Sequence, residues 1–101
     1  MSVKSNWAVV TGAGSGIGAA LAHELATRGV GVVFVGRRED RLDNVRDGIV
    51  ELFPTLVVSA DIARDEDRVY LARRARKAMA DQGGRLKYLV HNAGAGPRVR
   101  T

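Results

Sequence analysis

The stretch Val9-Val10-Thr11-Gly12-Ala13-Gly14-Ser15-Gly16-Ile17-Gly18-Ala19-Ala20 decides the fold. A β-branched apolar run feeds into glycines at alternate positions and then into a segment rich in alanine and leucine, which is the order strand, tight turn, helix. A helix N-terminus binds phosphate through unpaired backbone N–H groups and the positive end of its dipole, and glycine lets that backbone approach with no Cβ in the way. The pattern Gly-x-Gly-x-x-Gly/Ala can be laid on Gly14, Gly16 and Ala19, but it leaves Gly12 and Gly18 unexplained. In the register Thr11-Gly12-x-x-x-Gly16-x-Gly18, Gly12 turns the chain off the strand, Gly16 lies under the phosphates, and Gly18 lets the first helical turn pack on the sheet. A glycine-rich turn with no ligand is the bland alternative, and the flanking strand and helix patterns favour a nucleotide site. No Lys-Ser or Lys-Thr follows the glycines, which speaks against a loop for nucleoside triphosphates.

Outward from this corner the pattern alternates. Trp7 to Thr11 reads as a first strand buried on both faces, and Ile17 to Arg28 as a first helix with Ile17, Ala20, Leu21 and Leu25 inward and Gly29 as its stop. Val30 to Val35 is a second strand ending at Gly36. Glu39 to Leu52 is a second helix with Leu42, Val45, Ile49 and Leu52 on one stripe, ended by Phe53-Pro54. Leu56 to Ser59 is a third strand, and Asp65 to Gln82 a third helix broken by Gly83-Gly84. Leu86 to His91 is a fourth strand, with the turn-rich Asn92 to Pro97 beyond it.

This alternation predicts an α/β, Rossmann-type, doubly wound parallel sheet of four strands in the order 3-2-1-4 with three helices and right-handed crossovers. Ligands of such a sheet sit outside the carboxyl ends of its strands. Four distinctive segments fall at those ends: Gly12 to Gly18, Gly36 to Arg38, Asp61-Ile62, and Asn92 to Gly94. Residues 1–97 read as one dinucleotide-binding unit and 98–101 as a basic, unpatterned tail.

A chain of 101 residues holds at most one domain, and 46% apolar with 27% charged residues is a globular composition. No apolar run suits a membrane span and no secretory leader is seen, so the cytoplasm is the expected compartment by default. With no cysteine there are neither disulfides nor thiolate metal sites, and the two isolated histidines, His23 and His91, make no metal constellation. Sixteen Lys and Arg against 11 Asp and Glu give a net charge of +5, which invites a nucleic-acid partner. The arrangement argues otherwise: Arg73, Arg74, Arg76 and Lys77 follow Asp65, Glu66 and Asp67 along one helix, as expected of a solvated helix face that complements the dipole.

The chain resembles the short-chain dehydrogenase/reductase family in its classical form, on Thr11-Gly12-x-x-x-Gly16-Ile17-Gly18, on Asp61 with an aliphatic residue after the third strand, and on Asn92-Ala93-Gly94 after the fourth. The resemblance spans Val9 to about Gly94. It implies a nicotinamide dinucleotide site and, in a complete member, hydride transfer between that cofactor and a small carbonyl or alcohol substrate. Thr11, Gly12, Ser15, Gly16, Ile17 and Gly18 would then hold the pyrophosphate. Asp61 would accept from the adenine amino group, Ile62 would flank the ring, and Asn92, Ala93 and Gly94 would line the nicotinamide ribose. Taken singly, Asp61 reads equally as a turn or capping aspartate, and Asn92 as a turn asparagine.

Cofactor choice follows from charge. NAD-selective sites place an acid at the end of the second strand, where it accepts from the ribose hydroxyls. Here that position is Gly36, followed by Arg37 and Arg38, whose guanidinium groups suit a 2′-phosphate. NADP(H) is therefore expected, with NAD(H) the alternative. Glu39 and Asp40 are near enough to pair with the arginines, and Ser15 stands where many NADP-preferring relatives carry a basic residue. His91 replaces the first Asn of the family's Asn-Asn-Ala-Gly. The family's helix asparagine, serine and Tyr-x-x-x-Lys are absent, and Tyr70-Leu71-Ala72-Arg73-Arg74 ends in arginine, so no catalytic residue is assigned. The sequence thus reads as a truncated cofactor-binding half, inactive alone, whose fourth strand is an exposed edge calling for a partner or a second copy. A non-catalytic nucleotide-binding or interaction module is the alternative reading.

Overall fold

The computed structural model describes residues 6–14, 16–48, 54–92 and 97–100, the last four by backbone course. The elements are β1 (Asn6–Thr11), α1 (Gly16–Thr27), β2 (Gly31–Gly36), α2 (Glu39–Asp47), β3 (Thr55–Ser59), α3 (Asp65–Asp81), β4 (Arg85–Asn92) and β5 (Pro97–Arg100). They form one sheet in the order β3-β2-β1-β4-β5. The first four strands pair in parallel, with Val9 opposite Val33 on one side and Leu89 on the other.

The apolar runs form strands because both of their faces are covered. Along β1, Ala8 and Val10 point into a cluster with Val32, Phe34, Ala22, Ala26 and Leu42, under α1 and α2. Trp7 and Val9 point the other way, joining Val33, Val35, Val58, Ala75 and Met79 under α3. Successive strand residues alternate between faces, so a strand clad on both sides must be apolar throughout. Each fully buried Val, Leu or Phe side chain contributes roughly 1.5–3 kcal/mol. The Trp7 indole rests directly over Gly31, where an added Cβ would come within 2.7 Å of the ring.

The expected order of four strands and three helices is met. Two features depart from expectation. The sequence predicts four strands and a basic tail at 98–101, whereas Pro97–Arg100 forms a fifth strand, antiparallel to β4, with Asn92 opposite Pro97 and Leu89 opposite Arg100. Strand four is therefore not a bare edge over its carboxyl half. Pairing satisfies backbone N–H and C=O groups whatever the side chains are, so a short basic segment without apolar alternation can still make a strand.

The second departure is at α2, which ends at Asp47 with Gly48 as its C-cap. Of its expected stripe, Leu42 is buried and Val45 packs against the same cluster, while Ile49 and Leu52 lie outside the described residues.

On the α3 side an apolar groove of about 560 Å³ runs between α3 and β4, floored by Val9, Leu71, Ala75, Met79, Leu86 and Leu89. Leu86 is 49% exposed and Leu89 38%, so this face of β4 is less covered than the α1 face. Among the described residues no helix is long and apolar enough to cross a membrane, and no cluster of His, Asp and Glu is arranged to hold a metal ion.

Candidate functional site

The carboxyl ends of the parallel strands are locked together by backbone hydrogen bonds. The Ala13 N–H donates to Val35 O at 3.0 Å, and the Ala60 N–H donates to Gly36 O at 2.8 Å. Between β1 and β4 the link is Thr11, only 4% exposed. Its Oγ1 accepts from the Asn92 N–H at 3.1 Å and lies 3.0 Å from His91 Nδ1. His91, standing in place of an asparagine, thus reaches across the strands to the hydroxyl that ends β1.

The glycine turn is packed against this link. Gly12 has φ +64°, a conformation that L side chains rarely adopt. A Cβ on Gly18 would stand 2.1 Å from Gly12 O and 2.9 Å from Asn92 Nδ2, so the first turn of α1 sits directly on the backbone of the β1 turn. Gly16, with φ +62°, is open: among the described residues a Cβ there would meet nothing within 4 Å. The start of α1 is therefore held close to the sheet at Gly18 and left open at Gly16, a cradle suited to an anion.

Two adjoining clefts open over this edge. The first, of about 260 Å³, is lined by Thr11, Gly12, Val35, Gly36, Arg37, Ala60, Asp61, Ile62 and Asn92. The second, of about 200 Å³, is lined by Gly12, Gly14, Gly36, Arg37, Arg38 and Arg41. The apolar groove beside α3 is larger and holds Arg68 and Arg76, but no glycine turn lines it among the described residues, so the site is assigned to the two smaller clefts.

Most residues singled out in the sequence converge here. Thr11, Gly12, Arg37, Asp61, Ile62 and Asn92 line the first cleft, and Arg38 joins Gly12 and Arg37 in the second. Ile17 is 56% exposed at the start of α1. Ser15, Ala93 and Gly94 lie outside the described residues. Asp61 is held as a turn: its Oδ1 accepts from the Ala63 N–H at 3.0 Å, and its own N–H donates to Asp67 Oδ2 at 2.7 Å. The turn reading and the cleft-lining reading of Asp61 are both satisfied, because the carboxylate is oriented by the turn at the cleft wall.

Arg38 Nη2 donates to Asp40 Oδ2 at 3.0 Å. The Arg38 guanidinium, through that hydrogen bond, holds the Asp40 carboxyl below its ordinary value of 3.8. Among the described residues Arg37 and Arg41 make no ion pair. Arg41 and Ala60 line the clefts without having been singled out. Arg41 was legible only as one more basic residue in a charged helix start, and Ala60 carries no chemical signal of its own.

Comparison with known proteins agrees with this geometry. The chain is 39% identical over 90 residues to an 11-beta-hydroxysteroid dehydrogenase of Pinus massoniana, an alignment covering 87% of this chain and 24% of that one. A metagenomic short-chain oxidoreductase solved in complex with NADP superposes with a TM-score of 0.69 at 32% identity, covering 86% of this chain and 38% of that one. A 3-ketoacyl-(acyl-carrier-protein) reductase of Brucella melitensis solved with NADH also superposes with a TM-score of 0.69 at 32% identity, covering 78% and 32%. The chain spans 24% to 37% of the length of the first curated relatives it matches. The sequence model of the short chain dehydrogenases matches residues 6–101. This chain belongs to the short-chain dehydrogenase family.

Proposed function

We propose that these residues form the NADP(H)-binding portion of a short-chain oxidoreductase that reduces a carbonyl or oxidises an alcohol by hydride transfer. The observation that carries the cofactor preference is the end of β2. Gly36 stands where an acid would accept from the ribose hydroxyls, and Arg37 follows it, lining both clefts. A guanidinium there attracts a 2′-phosphate and hydrogen-bonds it through a planar fork of N–H donors. Among the solved relatives one holds NADP and another NADH, so family membership supports a nicotinamide dinucleotide and leaves the preference to the local charge.

The residues present fit such a cofactor. The open side of Gly16 and the amides at the start of α1 suit the pyrophosphate, while Asp61 and Ile62 border the space for the adenine. Asn92 and the Thr11–His91 link fix the β4 edge beside the nicotinamide ribose. When bound, the nicotinamide supplies the hydride. In this chain Tyr70 is followed four residues on by Arg74 and Tyr88 by Asn92, so no tyrosine–lysine pair stands ready to move the accompanying proton. The role assigned to these residues is to bind and orient the dinucleotide. A binding module without turnover is the second reading. A cytoplasmic setting and association with a second copy belong to the same proposal.

Fluorescence titration with NADPH and NADH tests it. The expected result is tighter binding of NADPH, with Arg37→Ala weakening NADPH about tenfold or more and NADH little. A folded sample that binds neither dinucleotide would overturn the proposal, and equal effects of Arg37→Ala on both would remove the phosphate role. An aldehyde and ketone panel should show no turnover by this chain alone.

A further inference from the structure

The second cleft contains three arginines, and they are not equivalent. Arg38, which the sequence marks as a phosphate ligand beside Arg37, is the N-cap residue of α2 and turns its guanidinium onto the Asp40 carboxylate at 3.0 Å. Arg41 lies one helical step further along α2 and also lines the cleft. Among the described residues no carboxylate pairs with it. We infer that Arg41, together with Arg37, is the cation pair that selects for a 2′-phosphate, and that Arg38 is not part of it.

The inference rests on the reading that the clefts take NADP(H), and it names the residues that decide the preference. Two independent features carry it. The first is net charge. A phosphate approaching Arg38 also meets the Asp40 carboxylate that Arg38 already neutralises, so the attraction is largely cancelled. Arg41 and Arg37 bring no such companion. The second is the glycine turn. A Cβ on Gly14 would stand in van der Waals contact with α2, 3.4 Å from Arg41 Cβ and 3.9 Å from Leu42 Cδ2. Gly14 is the one alternate glycine that the register Thr11-Gly12-x-x-x-Gly16-x-Gly18 leaves without a role. In the structure it lies against the first turn of α2, at Arg41 and Leu42. The stem of Arg41 thereby leaves the helix at the wall of the cleft, and Arg37 enters the same cleft from the end of β2. Arg37 and Arg41 share the lining of this cleft with Gly12, Gly14 and Gly36, whose missing side chains leave its wall to backbone.

Titration of the full chain with NADPH, NADH and 2′,5′-ADP tests this without relying on turnover. Arg41→Ala should weaken NADPH and 2′,5′-ADP about tenfold or more and leave NADH within about twofold, whereas Arg38→Ala combined with Asp40→Asn, which removes the ion pair without changing net charge, should leave the NADPH-to-NADH preference within about twofold. Arg41→Lys, which keeps the charge and loses the fork, should fall between wild type and Arg41→Ala, and it retains the aliphatic stem if the alanine variant folds poorly. If the Arg38→Ala/Asp40→Asn variant lowers the preference and Arg41→Ala does not, the inference is overturned while the NADP(H) reading stands. If the wild type shows no preference and Arg37→Ala has no selective effect, the NADP(H) reading itself fails, and the inference fails with it.

Discussion

Replacing Gly18 by alanine tests how the phosphate corner is built. A single methyl group there would lie 2.1 Å from Gly12 O, 2.8 Å from Gly12 C and 2.9 Å from Asn92 Nδ2. An ordinary carbon-to-carbonyl-oxygen approach is about 3.3–3.6 Å, so the start of α1 and the β1 turn must separate by more than about 1 Å. The Asn92 side chain can turn aside, but the two nearest atoms, Gly12 O and C, are backbone and cannot. Overpacking of this kind costs roughly 1–3 kcal/mol, and the helix gains back at most about 1 kcal/mol from replacing glycine with alanine.

The net expectation for Gly18→Ala is a loss of about 1–2 kcal/mol. At about 4–8 °C per kcal/mol for a chain of this size, thermal unfolding followed by circular dichroism should fall by roughly 5–15 °C. NADPH affinity should fall by more than stability alone explains, measured well below the transition, because the amides at the start of α1 are displaced. About tenfold is expected, the equivalent of one charge-assisted hydrogen bond. Unchanged unfolding together with unchanged NADPH binding would refute the reasoning, showing that α1 does not sit on the β1 turn as described.

Three further outcomes follow from other parts of the chain. Gly48 caps α2 with φ −78°, and its Cβ position makes ordinary contacts with Val45 O at 3.5 Å and Asn44 O at 3.9 Å, so Gly48→Ala should raise stability by about 0.4–1 kcal/mol; a lower urea midpoint would count against the cap geometry. Trp7 Nε1 is buried with no hydrogen-bond partner among the described residues, so Trp7→Phe removes an orphan donor while keeping an aromatic ring. Its net effect in urea unfolding should stay within about 1.5 kcal/mol, and a loss near the 3–5 kcal/mol typical of truncating such a residue to alanine would show that the indole N–H is satisfied. Asp40 titrates below 3.8 because Arg38 hydrogen-bonds its charged form, so its contribution is present at neutral pH and lost as pH falls through that lowered value. Arg38→Ala should move the Asp40 titration up toward 3.8 in a carboxyl-resolved NMR experiment, and no movement would dissolve the pair that sets Arg38 apart from Arg41.

The fold was legible where local rules and tertiary structure agree. The runs Trp7 to Thr11 and Val30 to Val35 are apolar throughout because both faces of β1 and β2 are clad, and the alternate glycines mark where the chain leaves that cladding. The convergence of Gly12, Arg37, Asp61 and Asn92 followed from topology alone, since parallel strands bring their carboxyl ends to one edge. What escaped depends on contacts that no local window contains. The Thr11–His91 link joins residues 80 positions apart. β5 is a strand because β4 offers it unpaired backbone, not because Pro97 to Arg100 has strand chemistry of its own. The choice between Arg38 and Arg41 turns on one hydrogen bond to Asp40 and on the seat that Gly14 provides for α2.

The fifth strand also makes the sheet edge a contested one. β5 runs opposite to its neighbours and uses the outer amides and carbonyls of β4 from Leu89 to Asn92, leaving those nearer Arg85 unclaimed. In a doubly wound sheet the strand beyond the fourth runs parallel, and it draws on the same row. The two arrangements exclude each other. Any parallel strand offered to this edge, from the same polypeptide or another, has to peel β5 away. It has the advantage in that exchange, because a longer strand also pairs with the stretch of β4 that four residues headed by a proline cannot reach.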